Sequence, residues 1–344
     1  MINEFKNKRI LVTGGTGSIG SVIVRELLKY KPKQIRVYSR DESKQFELMH
    51  KIPTNAPVNF LIGDVRDKER LNLAMENIDI VFHAAALKHV SSCEKNPFEA
   101  VKTNVRGTQN IIDCAFANNV DKVVGISTDK ATDPSNVMGC TKMLAEKIML
   151  ASYFYKGNKK TKFSMVRFGN VLGSRGSVVP LFINQIKNGN PVTVTNSQMT
   201  RFFMSIPQAV DLVFKATALM KDREIFVLKM PVLNIKDLVK AVLEVMQEKD
   251  PNLGKVPVKI IGKKNGERMH EKLLTIEESH QALENKEMFI ILPNYDVEDY
   301  DLPNYIYPNT KKARKSEYNS NKQRKMTIKQ IKEMLMNNED INFK

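Results

Sequence analysis

A chain of 344 residues that is 42% hydrophobic can bury a large core and still carry a smaller lobe. No run reaches the roughly 18 apolar residues of a membrane helix, no secretory leader precedes the first strand pattern, and three cysteines without metal spacing suit a reducing cytoplasm. The 54 basic and 38 acidic residues leave a formal charge of +16, but the surplus is scattered and densest only at 311–325. That pattern reads as a solvated surface whose field favours anionic nucleotides, not as a nucleic-acid interface.

Strand patterns come in chain order at RILVTG (9–14), QIRVYS (34–39), VNFLIGD (58–64), DIVFHAA (79–85), KVVGIST (122–128) and FSMVRFG (163–169). Helical patterns separate them, notably 18–30, stopped by Pro32, then 97–118 and 137–155. Apolar strands alternating with helices predict an α/β fold, a Rossmann-type doubly wound parallel sheet. This reading assigns 1–169 to a dinucleotide-binding domain with the catalytic residues. It assigns 170–293 mainly to a smaller α/β substrate lobe, part of which returns to the first domain, and 294–344 to an extended tail with a final helix at 327–337. The tail from 294 to 325 is too long and polar for a plain connector. It is expected to fold over the active-site entrance or onto a neighbouring subunit.

The stretch GGTGSIG ends the first strand and opens the first helix, with Gly14, Gly17 and Gly20 in G-x-x-G-x-x-G spacing. Such glycines let backbone approach a pyrophosphate seated on a helix N-terminus. The second strand ends Ser39-Arg40, where a forked guanidinium suits a 2′-phosphate and so NADP rather than NAD. The competing reading makes Arg40 a surface residue beside Asp41, a helix cap. Asp64 follows the third strand, where an acid can meet the adenine amino group. Thr128, Asp129 and Lys130 lie just past the carboxyl end of a parallel strand, where such sheets bind ligands. Met138 and Lys142 share a helix face four residues apart, and Met138 occupies the place of the tyrosine in a Tyr-x-x-x-Lys pair. A thioether cannot carry that tyrosine's proton. His270-Glu271 opens like a zinc-protease motif, but Leu274 stands where a second histidine is needed, and no metal is expected.

The segments SRDE (39–42), GDVRD (63–67), HAAALKHV (83–90), STDKA (127–131), RFGNVLGSRGSVVPLF (167–182), TRFFMS (200–205), NGERMHEKLLT (265–275) and EYNS (317–320) resemble the UDP-N-acetylglucosamine 4,6-dehydratases. These are extended short-chain dehydrogenase/reductases, and the inverting capsule-precursor type also shows methionine in place of tyrosine. The resemblance implies a UDP-N-acetylglucosamine substrate, a recycled NADP and a homo-oligomer between dimer and hexamer. It implies oxidation at sugar C4, loss of water across C5 and C6, and return of the hydride to C6. Asp129 is then the acid at the C6 hydroxyl, and Lys130 the base at C5, which requires its pKa to be pulled down. Thr128 bonds the C4 hydroxyl, and Lys142 holds the nicotinamide ribose.

The cofactor set that the resemblance implies is Gly14, Thr16, Gly17, Ser18, Ile19, Gly20, Ser39, Arg40, Asp64, Val65, Ala84, Ala85, Ala86, Lys88, Asn104 and Lys142. The implied UDP-sugar set is Lys88, His89, Thr128, Asn170, Arg175, Val178, Arg201 and Glu267. His89 reads equally well as structural, the arginines as surface ion pairs, and Asn104 as architectural. Met138 is compatible with either inverting or retaining dehydratases and argues against a 4-epimerase, which needs a phenol. A non-catalytic NADP-binding sensor is the reading from another class, and the intact Asp129, Lys130 and Lys142 oppose it.

Overall fold

The computed structural model describes residues 2–293 and 304–338, together with 341 and 343. Six strands match the expected ones: β1 (Arg9–Thr13), β2 (Gln34–Ser39), β3 (Val58–Ile62), β4 (Ile80–His83), β5 (Lys122–Thr128) and β6 (Lys162–Phe168). Ile10, Leu11 and Val12 are all buried although successive side chains point to opposite faces, because helices cover both sides of the sheet. The order β3-β2-β1-β4-β5-β6 is the doubly wound arrangement, and every neighbouring pair within it is parallel. The sheet continues past β6 through Ile225–Leu228, still parallel, and then Met288–Ile291, Ala282–Glu284 and Lys311–Lys312, all antiparallel. Strand order reverses between β1 and β4, so the carboxyl ends of the strands there open a crevice.

A second core lies beside this one. The helices Val178–Lys187, Ile235–Lys249 and Ile328–Met336 bury Phe182, Leu238, Val242, Ile331 and Leu335 together. A three-stranded sheet of Asn170–Val171, Thr200–Met204 and Val232–Asn234 joins this lobe to the main sheet. The final helix begins at a capping box, Thr327 with Gln330, and lies against Ile235–Lys249.

One detail differs from the sequence reading. The helix expected at 97–118 is Pro97–Ala100, a π-helical stretch Val101–Arg106, and Gly107–Ala117. The wider π turn is a common device at functional sites, and it carries Asn104. The tail, from 304 to 325, packs along its own chain and reaches the site through Ser320 beside Glu271. Tyr305 donates to the Asp222 carbonyl (2.9 Å) and Tyr307 to the Glu224 carboxylate (2.5 Å), while Tyr318 packs on Phe202 and Phe289. The stretch 294–303 lies outside the described residues.

Candidate active site

Gly14 leaves β1 with φ of 65°, and its amide donates to the Tyr38 carbonyl of β2 (2.8 Å). A Cβ there would lie 2.7 Å from the Ala85 amide nitrogen, and one at Gly20 would lie 2.3 Å from the Gly14 carbonyl. Only glycine lets this turn nest against the β4 loop. Gly17 then caps the helix Ser18–Leu27, whose free amides face the crevice. Gly63 has the same necessity at the adjacent strand end, since a Cβ would sit 2.4 Å from the Tyr38 ring.

Two adjoining hollows fill the crevice, about 400 and 520 Å³, and share Gly14, Gly17, Ser18 and Lys88 in their walls. The first holds Thr16, Ser39, Arg40, Asp64, Val65 and Ala85, and also Arg175. The second holds Ile19, Gly20, Thr128, Lys130, Met138, Lys142, Asn170 and Val178. Ala84, Ala86 and His89 line both. The bare glycine turn, the open helix N-terminus and a paired hollow fit a dinucleotide in extended form.

At the far end of the first hollow Arg40 is exposed and lies 3.5 Å from Asp64. Asp64 is gripped by Arg66 (2.7 Å), and although burial acts to raise its pKa, the Arg66 bonds hold it below the usual range. Gln45 fixes Ser39 through its hydroxyl and carbonyl (3.1 and 3.0 Å). Asp41 does cap the next helix, by accepting from the Lys44 amide, which leaves the Arg40 side chain free to face the hollow.

β5 ends in the second hollow. Thr128 donates to Asp129 Oδ1 (2.7 Å), and Lys130 Nζ donates to the same oxygen (2.9 Å) with Asn170 Oδ1 at 3.5 Å. Asp129 is fully buried, and its Oδ2 has no hydrogen-bond partner. Burial acts to lower the Lys130 pKa, but Asp129 and Glu271 outweigh it and hold it above its ordinary value. The depressed pKa expected for a C5 base is therefore not a property of this arrangement, because two carboxylates face the ammonium.

The helix Val137–Ala151 abuts that turn so closely that a Cβ on Gly139 would lie 2.3 Å from the Lys130 carbonyl. Met138 is 3% exposed and packs with Cys93 and Ala100. Lys142 donates to the Ile126 carbonyl (2.6 Å), and burial lowers its pKa to about 8. Asn104 accepts from the Leu87 amide (2.8 Å) and donates to the Leu87 carbonyl and the Thr141 hydroxyl. It pins the β4 loop to the helix bearing Met138 and Lys142, and lies behind both hollows.

Arg175 lies over the glycine turn, its amide donating to the Ser18 hydroxyl (3.1 Å). Its carbonyl accepts from Lys88 (2.8 Å). Arg201 and Glu267 are set back from the open cleft. Arg201 is 6% exposed and donates to the carbonyls of Thr200, Arg268 and Met269, with Glu267 at 3.5 Å. The sequence reading passed over Glu271, which is buried 3.8 Å from Lys130 and 3.6 Å from Arg201. It also passed over Ser320, whose hydroxyl accepts from the Glu271 amide (2.9 Å) and whose amide donates back to the Glu271 carbonyl (2.8 Å). Both stand in stretches singled out above, but spacing cannot tell Glu267 from Glu271 when neither is on a regular helix. Among the described residues no cluster able to hold a metal ion is found.

An uncharacterized membrane protein of Methanocaldococcus jannaschii is 54% identical over 316 residues, 91% of this chain and 93% of that one. Among the described residues no helix is long and apolar enough to cross a membrane. A UDP-N-acetylglucosamine 4,6-dehydratase (inverting) of Campylobacter jejuni is 45% identical over 300 residues, 86% of each chain. A UDP-glucose 4-epimerase of Rickettsia rickettsii is 39% identical over 338 residues, 96% of each. The X-ray structure of Pen from Bacillus thuringiensis superimposes with a TM-score of 0.90 at 43% identity, covering 98% of this chain and 99% of that one. The model of the family described as "Polysaccharide biosynthesis protein" matches residues 10–293, and the chain belongs to that family.

Proposed function

We propose that this protein is a UDP-N-acetylglucosamine 4,6-dehydratase that uses NADP and inverts C5, supplying a 4-keto-6-deoxy sugar nucleotide for surface polysaccharide. The observation that carries the reading is the Thr128–Asp129–Lys130 cluster: Thr128 and Lys130 line the same hollow as Met138 and Lys142, and both bond Asp129, which is buried behind them. Similarity to the Campylobacter enzyme supports it.

When bound, NADP supplies the acceptor for the C4 hydrogen and its return to C6. Gly14, Gly17 and the amides of Ser18–Leu27 would hold its pyrophosphate, Ser39 and Arg40 its 2′-phosphate, and Lys142 its nicotinamide ribose. Thr128 bonds the C4 hydroxyl and passes its proton to Asp129, along the bond the two already share. Asp129 gives that proton to the hydroxyl leaving C6. Lys130 removes the proton at C5, which the C4 ketone has made acidic. Met138 holds the helix against Cys93 and Ala100 and takes no part in proton transfer.

A second reading, a 4-epimerase, is favoured by the Rickettsia relative, and Met138 opposes it because no phenol stands beside Lys142. Incubation with UDP-N-acetylglucosamine in deuterium oxide, followed by NMR of the product, separates them. The expected product is a 4-keto-6-deoxy sugar with deuterium at C5 and inverted configuration there. Retained C5 configuration would point to the retaining reaction, and a C4 epimer that keeps its C6 hydroxyl would overturn the dehydratase reading.

A further inference from the structure

Lys130 is held as an ammonium, yet a C5 base needs a neutral amine, so its proton must have a place to go. Asp129 cannot be that place once it has taken the C4 hydroxyl proton. Glu271 is the other carboxylate facing Lys130, with Oε1 at 3.8 Å from Nζ. It is 3% exposed, and its Oε2 is buried without a hydrogen-bond partner. Its backbone is fixed on both sides by Ser320, which in turn bonds the Thr200 hydroxyl (2.7 Å). The charged groups around it are Asp129 and Lys130 on the β5 turn, Arg201 on Thr200–Met204, and Arg268 and His270 on its own segment. Glu267 faces Arg201 from the other side, and Lys272 turns away to Asp133 and Glu317.

We infer that Glu271 is a positioning residue for Lys130, which braces the ammonium at rest and takes its proton when Asp129 becomes protonated. This rests on the dehydratase reading above. At rest Lys130 and Arg201 balance Asp129 and Glu271. Protonating Asp129 leaves one buried positive charge in excess, and moving a proton from Lys130 to Glu271 turns the ammonium–carboxylate pair into two neutral groups. In that step an N–H bond at Nζ breaks with its electron pair left on nitrogen, and an O–H bond forms on Glu271. A contraction of roughly 1 Å brings the two within hydrogen-bond reach. The amine then takes the C5 proton; after hydride has returned to C6, water supplies the proton that C5 regains on the opposite face, Lys130 gives its own to water, and Glu271 returns its proton to Lys130. Burial already raises the Glu271 pKa, with Asp129 adding to it against the pull of Lys130 and Arg201.

The test is the pH dependence of kcat for wild type, Glu271→Gln and Glu271→Asp with UDP-N-acetylglucosamine, alongside KM and thermal midpoint. Without a carboxylate to take it, the Lys130 proton must go to water. Glu271→Gln is expected to lose about 10²-fold in kcat at pH 7, the scale of a proton-transfer contribution, with KM little changed. Its rate is expected to climb about tenfold per pH unit on the alkaline side while wild type stays shallow. Glu271→Asp keeps an acceptor and is expected to be slower with a shallow profile. Parallel profiles for wild type and Glu271→Gln, or a steep one for Glu271→Asp if the glutamine variant does not fold, would overturn the inference. Failure of wild type to form the 4-keto product defeats the functional reading instead, so the two failures are told apart.

Discussion

At the scale of single residues, the proposed reading makes the missing phenol a packing matter and places the chemistry on the β5 turn. Met138 contributes bulk among Cys93, Ala100, Leu87 and Val90, so Met138→Leu, nearly volume-conserving, should keep most activity. Lys130→Ala should lose about 10²–10⁴ in dehydration rate, seen as a C4-oxidised sugar that retains its C6 hydroxyl in single-turnover NMR. Arg40→Ala should weaken NADP by about 1.5–3 kcal/mol, the worth of charged hydrogen bonds, and leave NAD nearly unchanged in a titration of both. Lys142 gives a pH signature. Its native pKa of about 8 lies below the ordinary 10.5, so between those values the unfolded chain holds a proton that the native state lacks. Stability from this group therefore rises as pH climbs from about 8 towards 10.5, and at pH 7 the buried ammonium costs about 3 kcal/mol. Lys142→Met should raise the melting midpoint at pH 7, less so at pH 10, while weakening cofactor binding.

At the scale of elements, one buried arginine ties the pieces that carry the site. Arg167 on β6 is 2% exposed and pairs with Glu146 on Val137–Ala151 (2.6 Å) and Glu278 (3.0 Å), and also donates to the Leu273 carbonyl (3.0 Å). The helix bearing Met138 and Lys142 is thus fixed to the segment just after Glu271. Removing one member of such a cluster strands a buried charge, so Arg167→Leu should cost about 3–5 kcal/mol in a denaturant titration. The double variant Arg167→Leu with Glu146→Leu should recover part of that loss, because the pair was expensive to bury in the first place. None of this was legible beforehand, because partners 21 and 111 residues away cannot be read from spacing.

At the scale of the whole molecule, the sheet, its order and the glycine turn were legible because they rest on local signals, namely apolar runs, turn residues and helix stops. Thr128, Lys130, Met138 and Lys142 were placed in one cleft for the same reason, since one strand end and one adjacent helix carry them. Glu271 was not, because its position depends on how a second lobe folds back. Gly266, at φ of 74°, hands its carbonyl to Ser135 and Asn136, and that contact between chain segments some 130 residues apart brings Glu271 to Lys130. The path of the tail depends on long-range contacts in the same way. Tyr305 and Tyr307 tie it to Asp222 and Glu224, and Tyr318, bonded to Met230, leads into the Ser320 contacts with Glu271.

The Ser320 contacts also order events in time. Ser320 reaches Thr200 across 120 residues and Glu271 across 49. During synthesis the dinucleotide-binding half can fold and load its cofactor well before those partners exist, since domains form as their residues emerge. The cluster around Lys130 and Glu271 is complete only once residue 320 has emerged. A chain cut before residue 320 would keep the glycine turn but lack the two Ser320 bonds that fix the Glu271 backbone beside Lys130.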